Sequence, residues 1–382
     1  MKRVITLILA FVLMAGAIGC SASDYKKALQ LFEEQKYEEA QIVFESLGDY
    51  EDSAEMAKQC RYQQAKNLLS QKQYEKAQTE FEQLGDYEDS LALLKECIYQ
   101  RALLLYLSND YASASDLFQS LADYNEATKY ALNCYLRTAK IGETILFGTY
   151  EQDADPTNGK EPIEWLVLSK EENRMLVISL YGLDSRQFDN REIKDQLVYW
   201  ANSQMREYLN GEFFSESFSS TEKEQVLTTA NKNLFYDYID YDFSSDYVEA
   251  YVKHIKYLND FEEESEDAVF LLSAEEVEAL FPSTDSRKAY PTAQAIKTRA
   301  QLYDEKDYYT RILESKEGYC SWWLRSTMGV VDKYSWNSQE AFVVTDEGKV
   351  EESGWYTSIS YNMKCTSICI RPAMWIDISK IS

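Results

Sequence analysis

The sequence predicts a two-part chain, an all-α array of helical repeats followed by an α+β domain. Three observations predict it. A 37-residue period runs through residues 24–134. After "YLRTAK" the period stops, and short β-rich runs separated by turn residues replace it. Those strands mix with helices without the regular alternation of a parallel α/β sheet. With 382 residues, 45% hydrophobic and 14% aromatic, the chain has material for more than one core.

The period aligns Tyr25/Tyr62/Tyr99, Ala28/Ala65/Ala102, Leu31/Leu68/Leu105, Tyr37/Tyr74/Tyr111, Ala40/Ala77/Ala114, Phe44/Phe81/Phe118 and Cys60/Cys97/Cys134. Within one unit Cys60, Ala65, Leu68 and Leu69 recur at helical spacing, as do Tyr74, Ala77, Phe81 and Leu84. Two helices per unit follow, over 52–70 and 74–84 in the second. "LGDYEDS" occurs at 47–53 and again at 84–90. Its Gly48 and Gly85 read as left-handed residues closing a helix. Asp49 and Asp86 read as N-caps, with Asp52 and Asp89 in the first turn that follows. An EF-hand loop needs alternating acids, a central glycine and a terminal glutamate. This stretch lacks that spacing, and the third copy, "LADYNEA", loses the glycine and an acid. The motif therefore reads as a connection. The pattern "A..L.....Y..A...F..L" resembles the tetratricopeptide-like repeat, whose usual period is about 34 residues; the extra residues fall in the connection.

The N-terminus "MKRVITLILAFVLMAGAIGC" joins a basic start (Lys2, Arg3) to an apolar run and small residues ending at Cys20. That is secretory-signal architecture, too short for a lasting membrane span. "AIGC" resembles a bacterial lipobox, with Ala17 where leucine is usual. The resemblance implies a signal peptide over 1–19, cleavage before Cys20, and a palmitate-type lipid anchor on that cysteine. Lipid chains bury about 0.8 kcal/mol per methylene, so two or three hold a protein stably. The expected location is the outer face of the bacterial cytoplasmic membrane. A formal charge of −26 excludes nucleic acid as a partner, because little would neutralise phosphates. One cysteine per repeat reads as a small buried hydrophobe rather than half of a disulfide. Cys320 with Cys365 or Cys369 is the pairing left open.

The repeats are expected over 20–137 and the second domain over 138–382. Its predicted strands are "TILFGTY" (144–150), "IEWLVLS" (163–169), "MLVISLYG" (175–182), "YCSWWLRS" (319–326), "EAFVVTDEGKVEE" with a turn at Asp346–Lys349, and "ICIRPAMWI" (368–376). "DADPTNGKEP" reads as a hairpin connection, "WANSQMREYLNGEFF" (200–214) as a helix, and Ser273 as the cap of a helix entered from "DAVFLL". "FGTYEQ", "PIEWLVL", "VFLLSAEE", "LRSTM" and "IRPAMWI" resemble an uncharacterised domain family of exported bacterial lipoproteins with WWLRS-like and VRPA-like ends. More distantly, that ending resembles C-type-lectin-like and formylglycine-generating-enzyme-like folds, an analogy of fold rather than of function.

Few residues point to catalysis. The single histidine, His254, sits beside a helical stripe of Tyr247, Tyr251, Ile255 and Leu258, with no second histidine to share a metal. No G-x-S-x-G, H-E-x-x-H or phosphate-cradling loop occurs. Cys365 and Cys369 are the enzyme-like feature, read as core thiols or as the pair of a formylglycine-generating-type oxidase. Arg325 and Arg371 lie in apolar strands beside Trp322, Trp323 and Trp375, where a buried guanidinium must be paired. They read as structural arginines holding carboxylates, or as holders of an anionic ligand.

The stretch 233–267 interleaves tyrosines with acids. Tyr236, Tyr238 and Tyr241 there, with Trp336, Trp355 and Tyr356, are the candidate contacts for a protein or glycan ligand of the cell envelope. The plain reading is a solvated acidic loop plus one amphipathic helix. Calcium on Asp237, Asp240, Asp242 and Asp246 is a subsidiary expectation; no other cofactor or metal is implied. The sequence thus favours a lipid-anchored binding or interaction protein. An exported oxidase and a carbohydrate-binding module are the alternatives.

Overall fold

Each 37-residue period folds as a pair of helices. The computed structural model describes residues 21–191, 198–238, 255–302, 318–331, 337–350, 360–362 and 365–381. Helix α1 covers 21–33. It is followed by α2 (Tyr37–Leu47), α3 (Ser53–Ser70), α4 (Tyr74–Leu84), α5 (Ser90–Leu107), α6 (Tyr111–Ser120) and α7 (Ala127–Thr138). The repeated alanines at 28, 40, 65, 77, 102 and 114 and the three repeat cysteines are fully buried, as are Phe44, Phe81 and Phe118. Small side chains let neighbouring helices approach, and one phenyl ring per unit fills the space between them.

The tyrosines explain "LGDYEDS". Gly48 and Gly85 end α2 and α4 at φ of +55° and +58°, a region open to glycine at little cost. The caps differ from expectation. Asp52 and Asp89, not Asp49 and Asp86, stand at the N-cap positions of α3 and α5, and neither carboxylate bonds the helix. Each accepts instead from a tyrosine 27 residues earlier, Tyr25 and Tyr62, at 2.5 Å. A phenol donating to a carboxylate makes a charge-assisted bond, which here takes the place of the cap. The motif tyrosines complete the joint: Tyr50, Tyr87 and Tyr124 meet Tyr25, Tyr62 and Tyr99 edge-on, with ring centroids 5.9 Å apart in each pair. The joint thus ties each unit to the next.

A second compact unit covers Ala139–Ser382. Its strands are β1 (Thr144–Tyr150), β2 (Glu161–Lys170), β3 (Arg174–Ser179), β4 (Asp184–Ser185), β5 (Val226–Leu227), β6 (Thr229–Tyr238), β7 (Ile255–Asp267), β8 (Trp322–Val331), β9 (Asn337–Val344), β10 (Ser360–Asn362), β11 (Cys369–Ile370) and β12 (Ala373–Asp377). One sheet runs β1-β2-β3-β12-β5, antiparallel throughout. The other runs β10-β9-β8-β11-β4, and β6 also pairs with β8 in parallel and with β7 in antiparallel. The architecture is mixed sheets and helices, as the irregular order of elements predicts.

Two elements depart from expectation. The helical stripe expected to include Ile255 and Leu258 is instead strand β7 over its described part, paired with β6 from Thr229↔Asp267 to Leu234↔Glu262 and, after a register shift, from Tyr236↔Tyr257 to Tyr238↔Ile255. Cross-strand pairing overrides helical spacing here. Residues 239–254, with Tyr247, Tyr251 and His254, lie outside the described ones. The helix expected over 200–214 is interrupted. A short α-helical stretch, Gln204–Tyr208, passes into a π-helical turn, Leu209–Phe213. That turn carries Asn210, whose amide donates to Val269 O at 2.9 Å and whose oxygen accepts from Ala268 N at 2.8 Å. The same helical stretch reaches the fully buried Asp267 through Arg206 (2.5 Å), while Trp200 just ahead of it donates at 2.8 Å. Ser273 does cap the helix Ala274–Leu280, in a capping box with Glu276. No helix among the described residues is long and apolar enough to cross a membrane.

Alkaline titration tests the repeat joint. The hydrogen bond to Asp52 raises the Tyr25 phenol to about 12, and burial followed by the bond to Asp89 does the same for Tyr62. A raised folded value means full stability below the ordinary phenol range and loss as pH climbs through the folded value. Helicity should therefore hold to about pH 10 and fall toward pH 12. The variant Tyr62→Phe should lower stability at neutral pH by about 0.5–1.5 kcal/mol and lose helicity less steeply over that alkaline range. Circular dichroism across the titration reads both.

Candidate functional site

The chemistry-bearing side chains of the second unit gather in three places. The first is Arg325 in β8, only 3% exposed. Its guanidinium grips both oxygens of Glu276, one at 2.7 Å, and also donates to Leu271 O at 2.8 Å and Asn233 Oδ1 at 3.1 Å. Glu276 simultaneously accepts from Ser273 N at 2.9 Å. One carboxylate therefore caps a helix and neutralises a buried cation.

The second is Arg371, between β11 and β12 and 1% exposed. No carboxylate pairs with it among the described residues, which corrects the expectation of an acid partner. Backbone carbonyls serve instead: Ser179 O at 2.8 Å and Arg287 O at 3.1 Å. Its guanidinium also lies 5.0 Å from the Trp322 ring centroid and 5.7 Å from that of Phe281. Carbonyl dipoles and ring faces satisfy a delocalised guanidinium at a place where a second buried ion would carry its own desolvation penalty. Burial lowers Arg371 to about 10, so it remains a cation at neutral pH.

The third lies at the end of β1 and in the connection to β2. Glu151, Asp153 and Glu161 bring carboxylate oxygens within 4.8 Å of one another. This is the one such acidic group among the described residues, and the one whose oxygens are placed to hold a cation. Burial, then a hydrogen bond with Asp153, then the charge of Glu161 raise the Glu151 carboxyl. Asp153 is lowered, chiefly by the Asn158 amide at 2.7 Å. Behind this loop the Tyr150 phenol donates to Asp184 Oδ2 at 2.9 Å and stands 3.1 Å from the Tyr208 hydroxyl. The Arg186 guanidinium stacks 3.5 Å from the Tyr208 ring centroid. Burial pushes the Tyr150 phenol far above its ordinary range, so it stays a neutral donor to a buried carboxylate.

The profile of a family described as a domain of unknown function (DUF6273) matches residues 172–378, more than half of the chain. The chain belongs to the DUF6273 family. Neither the curated proteins nor the solved structures gave a match. The DUF6273 region contains both buried arginines, whereas the acidic loop precedes it. Strands β1 and β2 nevertheless complete one sheet with β3 and β12 of the DUF6273 region, so the folded unit begins ahead of the matched residues.

The predicted contact residues divide within the DUF6273 domain. The backbones of Tyr236 and Tyr238 lie in β6, opposite Met328 and Val330 of β8. Tyr241, Trp336, Trp355 and Tyr356 lie outside the described residues, as do Cys20, Asp240, Asp242 and Asp246. Asp237 pairs across strands with Lys256 and Gly329. Cys365 and Cys369 are both buried and not joined in a disulfide; Cys365 contacts Ser367 Oγ at 3.1 Å. Sequence reasoning missed the acidic loop by reading it as a plain hairpin connection. Oxygen donors at alternate positions 151, 153, 155 and 157, followed by Gly159, were the available signal.

Removing one charge from the Arg325–Glu276 pair tests its role. Glu276→Gln preserves the capping-box chemistry but leaves a buried guanidinium without a counter-charge, and should destabilise the domain by about 3–5 kcal/mol. Asp285→Asn, at an exposed ion pair with Lys288, should change stability by less than about 1 kcal/mol. Denaturant midpoints of the two variants give the comparison.

Proposed function

We propose that this DUF6273 protein is a lipid-anchored binding protein on the outer face of the bacterial cytoplasmic membrane. In this reading the tetratricopeptide-like repeats engage a protein partner and the C-terminal domain recognises a protein or glycan ligand of the cell envelope. The anchor rests on the signal-like N-terminus ending at Cys20. The observation that carries the binding reading is on α5. Leu104 and Leu107, three apart on one helix face, are 55% and 65% exposed. Adjacent aliphatic side chains left in water on a repeat helix offer a surface for a partner to cover. For the C-terminal domain, Tyr236, Tyr238, Tyr241, Trp336, Trp355 and Tyr356 remain the proposed contacts, and calcium the proposed accessory ion. The oxidase alternative needs Cys365 and Cys369 adjacent and accessible, and the burial of both weighs against it.

Two variants of the full chain separate anchoring from binding. Cys20→Ser should move the protein from the membrane fraction to the medium, and mass spectrometry of the wild-type mature N-terminus should find lipid on Cys20. An unmodified N-terminal residue other than Cys20 would refute the anchor. Leu104→Glu with Leu107→Glu should abolish cross-linking to an envelope protein at unchanged helicity. Equal cross-linking by the double variant, or no partner for the wild type, would refute the binding surface.

A further inference from the structure

The strongest unassigned feature of the molecule is a pair of buried thiols. Cys320 immediately precedes Ser321 and β8, and Cys369 opens β11. These strands pair in parallel with Cys369 opposite Trp322, and Cys369 N donates to Ser321 O at 2.9 Å. The pairing brings the two cysteines side by side, 2% and 1% exposed.

Gly182 shows how closely the sulfurs converge. A Cβ added there would lie 2.8 Å from Cys320 Sγ, 3.1 Å from Cys369 Sγ and 2.7 Å from Cys369 Cβ. Both sulfurs thus crowd over one bare Cα, and the missing side chain leaves them room. The neighbouring Cys369 thiol, then burial, raise the Cys320 thiol well above its ordinary range. The remaining neighbours are weak partners. Cys320 Sγ lies 3.3 Å from Ala289 O, and Cys369 Sγ lies 3.7 Å from Ser185 Oγ. Cys365 is directed to Ser367, and Cys60, Cys97 and Cys134 are buried one to a repeat.

We propose that Cys320 and Cys369 form a disulfide, and that their meeting point is a redox-controlled staple of the domain. The bond links the start of β8 to β11, two residues before the buried Arg371. The oxidant is a small or protein disulfide met during folding, before burial closes the site. One cysteine thiolate attacks that disulfide, forming a mixed disulfide and expelling one thiolate, which takes up a proton. The second cysteine, as thiolate, attacks the protein sulfur of the mixed disulfide and expels the other thiolate, which is protonated in turn. Two protein thiols are oxidised by two electrons, and the external disulfide is reduced to two thiols. A cross-link of this kind stabilises chiefly by restricting the unfolded chain. The inference does not depend on what the protein binds; it needs an oxidising compartment, in keeping with the proposed location outside the cytoplasm.

The test uses the full chain, reduced and unfolded, then refolded with oxidised and reduced glutathione. Remaining thiols are alkylated and the peptides mapped by mass spectrometry under non-reducing conditions. The expected result is a Cys320–Cys369 cross-linked peptide with Cys60, Cys97, Cys134 and Cys365 alkylated. Cys365→Ser should give the same cross-link, and reductant should lower the denaturant midpoint of the wild type while leaving that of Cys320→Ser unchanged. Alkylation of Cys320 and Cys369, or a cross-link from either one to Cys365, would overturn the proposal.

Discussion

The C-terminal domain depends on one buried cation, Arg371. The chain passes from one sheet to the other at this residue, since β11 belongs to the second sheet and β12 to the first. Its guanidinium spans the same passage. It donates to the carbonyl of Ser179, at the end of β3 in the first sheet, and stacks near Trp322, at the start of β8 in the second. Because its carbonyl and ring partners come from both sheets, its satisfaction requires both sheets to be in place at once. Gly182, Cys320 and Cys369 pack beside this crossing. The region is therefore a single constraint built from a cation, a glycine and two sulfurs.

Arg325 and Asp267 follow a different economy, in which each is ion-paired and each pair fixes two elements. Glu276 joins the helix Ala274–Leu280 to β8 through Arg325. Asp267 joins the end of β7 to the helical stretch carrying Arg206 and to Trp200. In the repeats the same logic appears with tyrosine, whose phenol reaches the aspartate of the next unit. These groups hold the scaffold, which is why the functional proposal rests on other residues: the exposed leucines of α5 and the aromatic contacts proposed from the sequence.

Legibility in the sequence followed the range of the interactions. The second repeat's helices were predicted at 52–70 and 74–84 and run Ser53–Ser70 and Tyr74–Leu84, because repetition multiplies a local signal. The Ser273 cap was legible for the same reason, three residues ahead of its own glutamate. The Asp52 bond to Tyr25 was not, because it joins residues 27 apart and competes with a local capping role. Strand β7 is not legible because its Ile255 and Leu258 also satisfy a helical spacing, and only pairing with β6 decides for a strand. The acidic loop was read as a turn because its three carboxylates converge through hairpin geometry that connects residues 151 and 161. Arg371 was legible as buried but not in its partners, since backbone carbonyls leave no mark in a sequence.

Arg371 thus holds the two sheets together as one cooperative unit. Amide hydrogen exchange on full-length Arg371→Lys against the wild type tests it directly. A lysine keeps the charge but cannot span the carbonyls and rings together. Protection should fall together in β3, β12 and β8, on both sheets, while α2–α7 exchange as in the wild type. Protection lost only in the residues flanking 371, or unchanged in either sheet, would contradict it.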